Sequence, residues 1–440
     1  MEDANFVIHG DICWSVDACS IKAMHSAFLV CVDGKSAGVF ARLPPGYAAL
    51  PLIDCRGRLV TPGLADLHTH APQFAFRGLG MDMELLDWLK TRAFPEEAKY
   101  SSLKYARKAY GLFIDHLKRG PNTRIVIYAT VHVPATLALM DMLEDSGLVS
   151  MAGKVSMDRN CPDSLKEESA AASLGAAKKW LAAAKKYERT RPILTPRFIP
   201  SCSDDLMRGL GDLRRETSLP VQSHLSENQS EVAWVKELCP QSKNYSDAYL
   251  SFDLFGPETV MAHCVWLAQK EIDLMARRGV FAAHCPQSNA NLSSGIAPVR
   301  RMLDAGVNLG LGSDIAGGAN SSIFRAMADS IQVSKLRKTL HREAKAGSRS
   351  EKPITLEEAF YLGTKGGGAF FGKAGMGYPG SFEPGYDLDA LVIDDGNLAA
   401  PEKLSIRDRL ERVVYLSDDR NIEMKFVKGK KIKQELPGRT

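Results

Sequence analysis

The sequence predicts an α/β protein: a (β/α)8, TIM-like barrel joined to a small β-sandwich domain that the N- and C-terminal segments form together. Three observations carry this expectation. Between residue 61 and about residue 342, eight apolar strand-like runs alternate with helical stretches, and eight alternating β/α units argue for a closed parallel barrel. No Gly-x-Gly-x-x-Gly turn follows the first run, which disfavours the runner-up, an open doubly wound sheet. Strand-like runs within 5–60 have counterparts at 388–393, 412–416 and 423–427. The two ends are therefore expected to pair, with the barrel inserted between them. The expected domains are 1–60 with 380–440 for the β unit, and 61–379 for the barrel.

Taken in order, 6–9 and 27–32 read as strands, with turns at 34–35 and 44–46. A run at 58–60 leads through Pro62-Gly63 into the first barrel strand, which ends at His70. The other barrel strands are expected at 123–130, 153–158, 192–198, 221–224, 260–264, 280–285 and 308–314. Helices are expected between them at 85–90, 101–117, 134–144, 165–187, 204–217, 231–238, 268–278, 299–305 and 321–342. The stretch 165–187 is rich in Ala and Lys, both strong helix formers. Near 355 a further helix starts, with Thr355 as its cap and Glu358 three residues on. The run Thr364-Lys365-Gly366-Gly367-Gly368 lacks phosphate-loop spacing and reads as a helix turn or a close-packing site. The Gly- and Pro-rich stretch 372–385 is loop.

Apolar residues make up 45% and charged residues 25% of the chain, as in ordinary globular proteins. A net charge of +4 is too small to point to nucleic acid or an acidic membrane surface. Nine scattered cysteines, an odd count with no Cys-x-x-Cys pair, fit reduced thiols in the cytoplasm. The N-terminus has no apolar h-region, so no signal peptide is expected. No apolar run approaches the ~20 residues that span a bilayer.

In a barrel, chemistry collects at the C-terminal ends of the strands. The polar residues expected there are His68 and His70 on the first strand, Arg197 on the fourth, His224 then Glu227 on the fifth, His263 on the sixth, His284 on the seventh and Asp314 on the eighth. His68 and His70 are two apart, so a strand turns both imidazoles to one side. With His224 and Asp314 they make a donor set for one divalent metal of the zinc type. Each residue alone has an ordinary reading as a satisfied structural group. Five of the ten histidines at strand ends of one barrel is what makes the set stand out.

The stretches TPGLADLHTHAPQ, SHLSEN, MAHC, AHCPQSN and LGSDIAGG resemble the amidohydrolase superfamily, in its deaminase and chlorohydrolase branch. APQFAFRG, LLDWLKTRAFPEE, LTPRFIPSCSDDLM and YLSDDRNIE are similar to members of that branch that act on guanine. The resemblance implies one Zn2+ per chain held by His68, His70, His224 and Asp314. It implies Glu227 as a proton shuttle, His263 assisting at the water, and Gln73, Arg197 and Phe198 lining a purine pocket. Zinc-dependent deamination of guanine to xanthine and ammonia, and a homodimer, are implied with it. Binuclear relatives carry a carbamylated Lys at the end of the fourth strand, and none stands at 195–198, so one metal is expected. Ser313 stands where Thr is expected before the aspartate and still supplies a hydroxyl. The cytidine-deaminase pattern His-x-Glu with Pro-Cys-x-x-Cys and the metalloprotease pattern His-Glu-x-x-His are both absent.

The chemistry expected from these parts is general acid–base catalysis added to an activated water. Glu227 would donate to ring N3, and Asp314 would take the water's proton. The Arg197 fork would face O6 and N7. Phe198 and Phe74 are expected against the flat ring, and Phe76 in the core. Two other readings stay open: a sibling hydrolase of a pterin or triazine, and a catalytically silent barrel used as a scaffold.

Overall fold

The computed structural model describes residues 5–344 and 351–433, with backbone alone for 341–344. Parts of the expected domains, at 1–4, 345–350 and 434–440, lie outside the described residues. Among the described residues, four strands open the chain: β1 (Phe6–Asp17), β2 (Ser20–Val32), β3 (Lys35–Phe40) and β4 (Leu52–Pro62). Ten more come next, β5 (Leu64–His70), β6 (Asn122–Tyr128), β7 (Val149–Gly153), β8 (Val155–Ser156), β9 (Thr190–Pro192), β10 (Thr195–Pro196), β11 (Val221–Leu225), β12 (Thr259–His263), β13 (Phe281–His284) and β14 (Asn308–Leu311). The last are β15 (Ala390–Ile393), β16 (Ile422–Val427) and β17 (Lys430–Lys431).

The barrel is the parallel series β11-β12-β13-β14-β5-β6-β7-β9. It closes where Leu194 bridges to Val221: the Leu194 N–H donates to the Pro220 carbonyl, and the Gln222 N–H to the Leu194 carbonyl, each at 2.9 Å. Its strands are buried on both faces, which is why they read as apolar runs. The third strand departs from the expectation of 153–158. It starts at Val149, just past Gly147, whose φ of 77° ends the helix Val133–Ser146. Beyond Gly153 the chain enters β8, which pairs with β10 instead. The fourth strand is split, because Pro192 and Pro196 cannot donate to a ladder.

The terminal segments build one continuous sheet, β17-β16-β15-β4-β1-β2-β3. Its centre is the antiparallel pairing of β15 with β4, Val392 opposite Val60, which joins the two ends of the chain. A core of Ile8, Trp14, Leu29, Phe382, Val392 and Phe426 lies within this unit. The stretch 412–416, expected as strand, is the end of the helix Ile406–Leu416. Ser405 caps it and Ile406, Leu410, Val413 and Val414 are buried, so helical periodicity outweighs the β-branched pair. The Thr355–Glu358 capping box forms as expected. The glycines after Lys365 allow close packing: a Cβ on Gly366 would stand 3.0 Å from the Leu309 carbonyl oxygen. No helix among the described residues is long and apolar enough to cross a membrane.

Arg124, on β6 and fully buried, joins barrel to sheet. Its guanidinium donates to Asp389 at 2.6 and 3.0 Å, to Asp387 at 3.0 Å and to the Met376 carbonyl at 3.0 Å. Arg124→Met strands two buried carboxylates, and chemical denaturation should show a loss of about 3–5 kcal/mol. A loss below about 1 kcal/mol would mean that the joint does not rest on this ion pair.

Candidate active site

The two histidines of β5 reach the same space as residues from β11, β12 and the loop after β14. His70 Nε2 lies 3.2 Å from His224 Nε2 and 3.5 Å from Asp314 Oδ1, and His68 Nε2 lies 3.1 Å from Asp314 Oδ1. Ligand atoms of His68, His70 and His224 fall within 4.8 Å of one another, and so do those of His68, His263 and Asp314. Two ring orientations are fixed from behind. His224 Nδ1 donates to the Arg197 carbonyl at 2.6 Å, and His263 Nδ1 to Asn289 Oδ1 at 2.9 Å. Both rings therefore present a bare Nε2 to the site.

Electrostatics favour the deprotonated donor set that a metal needs. Burial pushes the His70 and His224 imidazoles well below their usual range, and His68 below it as well. Burial alone would raise Asp314, but His68, His263 and His70 hold it well below the usual carboxylate range. His68 Nε2 and His263 Nε2 are buried without a hydrogen bond. Lone pairs with nothing to bind, beside a carboxylate, fit a divalent metal. Lys154, just after β7, gives its Nζ to Glu167, outside this cluster.

The loop after β14 is tightly drawn. Asp314 has φ 45°, with its N–H donating to the His68 carbonyl at 2.8 Å. A Cβ on Gly312 would stand 2.7 Å from Cys285 Sγ and 2.9 Å from His68 Cβ, so only glycine lets this strand approach β5. Asp66 ties the two together: its Oδ1 accepts from the N–H groups of Ser313 at 3.0 Å and His68 at 3.2 Å, and its Oδ2 from Ser313 Oγ at 2.5 Å. Ser313 thus uses its hydroxyl as expected.

Beside the cluster opens a pocket of about 430 Å³, counting the space at its mouth. Glu227 faces it, with Oε2 3.4 Å from His263 Nε2 and Oε1 accepting from Ser294 Oγ at 3.1 Å. Burial, and then the charges of Asp314 and Glu231, raise Glu227 well above the usual carboxylate range, which favours its protonated form. Gln73, Arg197 and Phe198 line the pocket. The Arg197 fork, however, is taken by Glu97, with Nη1 donating to Oε2 at 2.5 Å and Nη2 to Oε1 at 3.0 Å. Phe74 is not at the pocket but in the core, against Phe113, His116 and the Arg77 guanidinium. Phe76 packs on Trp88, also in the core. His284 stays outside the cluster, in a small cavity with Ser330 and Arg337.

Sequence reasoning missed Glu97, Glu231, Asp66 and the apolar wall of Leu85, Trp88 and Leu89. The wall had a signal: 85, 88 and 89 stand at helical i, i+3, i+4 spacing. Glu97 had none, since Glu96 beside it looks the same from sequence.

The amidohydrolase family model matches residues 59–432. The guanine deaminase of Dictyostelium discoideum is 39% identical over 388 residues, 87% of this chain and 84% of that protein. The human guanine deaminase is 36% identical over 381 residues, 84% of this chain and 82% of that protein. The crystal structure of the C. acetobutylicum guanine deaminase, with guanine bound in its active site, superposes with a TM-score of 0.92 at 44% identity, covering 98% of this chain and all of that one.

Proposed function

The chain belongs to the amidohydrolase family, and from that membership we propose that it is a zinc-dependent hydrolase that converts guanine to xanthine and ammonia. One observation carries the reading. His68, His70, His224 and Asp314 cluster beside one pocket that His70, His224, Asp314, Glu227, Gln73 and Arg197 line, in a chain with relatives named guanine deaminase. His68, His70, His224 and Asp314 would hold one zinc, which when bound supplies a water acidified toward a pKa of about 7.

The chain's own residues do the rest. C2 of guanine is a weak electrophile, and protonation at N3 makes it attackable. Glu227 keeps the proton for that step because of its burial beside Asp314 and Glu231. Asp314, held ionised by the surrounding histidines, accepts the proton of the attacking water. His263, turned by Asn289, presents Nε2 3.4 Å from Glu227 and 3.8 Å from Asp314, where it assists at that water. Glu227, left ionised by the first transfer, carries the C2 hydroxyl proton to the amino group, the C–N bond breaks to release ammonia, and the proton held by Asp314 returns to Glu227. Phe198 flanks the ring, and Gln73 and Arg197 read its edge.

A guanidinium has five N–H donors, and the two that Glu97 takes leave Arg197 others for O6 and N7. Adenine places an amino donor where guanine has O6, so it is disfavoured. Arg197→Met alone would strand Glu97, so the test is Arg197→Met with Glu97→Gln. Steady-state kinetics should show kcat/KM for guanine lower by at least ~10-fold, and that for adenine changed far less. An equal proportional loss on both purines, or none on either, takes Arg197 out of recognition. The reading includes purine catabolism or salvage, a cytoplasmic location and a homodimer, the last checked by light scattering.

A further inference from the structure

We propose, building on the purine reading above, that Glu97 is a positioning residue for Gln73 and Arg197, and that by cancelling the guanidinium charge it makes the pocket select neutral over anionic purines. Three buried polar side chains form one knot. Glu97 Oε1 accepts from Gln73 Nε2 at 2.8 Å and from Arg197 Nη2 at 3.0 Å, while Oε2 accepts from Arg197 Nη1 at 2.5 Å. A carboxylate accepts and a backbone N–H donates. Glu97 at one end and the Ala316 N–H, 3.1 Å from Gln73 Oε1, at the other therefore fix which end of the Gln73 amide is nitrogen. Arg197 is held at its tip by Glu97 and lies 4.9 Å from the centre of the Phe94 ring, so its plane cannot turn.

Glu97 lies on the helix Phe94–Ala98, continuous with the helical turns that carry Leu85, Trp88 and Leu89. The ion pair thus also fastens the pocket's apolar wall to the barrel. Its charge balance matters as much as its geometry. Arg197 without Glu97 would place an uncancelled positive charge in a poorly solvated pocket, where it attracts an anion strongly. With Glu97 the pair is neutral, which suits guanine.

The test is calorimetric titration of the zinc-loaded full-length protein with two purines. Hypoxanthine is neutral, has the O6/N7 edge and lacks the 2-amino group; urate is an anion. Glu97→Gln should tighten urate relative to hypoxanthine by ~10-fold or more. Glu97→Asp keeps the charge but withdraws the carboxylate by one methylene. It should preserve the wild-type preference while weakening hypoxanthine by ~10-fold. An unchanged urate-to-hypoxanthine ratio in Glu97→Gln, or unchanged hypoxanthine affinity in Glu97→Asp, overturns the proposal. If circular dichroism shows that Glu97→Gln does not fold, Glu97→Asn, which also removes the charge, takes its place, and an unchanged urate-to-hypoxanthine ratio there overturns the proposal equally. A wild-type protein that binds hypoxanthine but releases no ammonia from guanine removes the reaction, and the same variants still decide the role of Glu97.

Discussion

Glu227→Gln should abolish most turnover while leaving metal and purine binding in place. The amide is nearly isosteric and can still accept from Ser294 Oγ, which donates to Glu227 Oε1 at 3.1 Å. It cannot release a proton to N3 or carry one to the departing amine. A positioned acid–base group of this kind contributes typically ~10²–10⁴-fold. The loss should fall on kcat, with zinc content unchanged and hypoxanthine bound as in wild type. Near wild-type kcat in a zinc-replete Glu227→Gln protein would exclude the glutamate from proton transfer. A protein that lost its metal would instead show that Glu227 supports the ligand cluster.

Removing the metal should have the other large effect. Protein purified without added metal should carry about one zinc per chain, since on the proposed reading His68, His70, His224 and Asp314 form one ligand set. Dialysis against a chelator should take activity to background, and one equivalent of zinc should restore it. Elemental analysis before and after decides the point. A stoichiometry near two, or activity that survives loss of all metal, contradicts a single-metal site.

Much of this was legible in the sequence, for reasons that differ between elements. Barrel strands such as β6 and β12 are buried on both faces, and continuous apolar runs mark them. The convergence of His68, His70, His224 and Asp314 was legible because few side chains suit a divalent metal, and a His-x-His pair ending a strand turns both rings to one side. The third strand was displaced because Ser150 and Gly153 dilute its apolar run and a left-handed glycine sets its start. Locally, 412–416 reads as strand because Val413 and Val414 are β-branched, while the burial of Ile406 and Leu410 a turn and more away decides for helix. The position of Arg197 at the end of the fourth strand points it to the barrel mouth, but its partner Glu97 lies 100 residues earlier, and nothing local links the two. Phe74 and Phe198 are the same residue type near the same site. Only the tertiary packing puts the first against Phe113 and the second in the pocket.

Ammonia release, followed on guanine, adenine, cytosine, pterin and an aminotriazine with the zinc-loaded protein, tests the central claim most directly. The account predicts ammonia from guanine with xanthine formed in equal amount, and little or none from the other four. Faster release from pterin or the triazine, or no release from guanine by a zinc-replete protein, would contradict it.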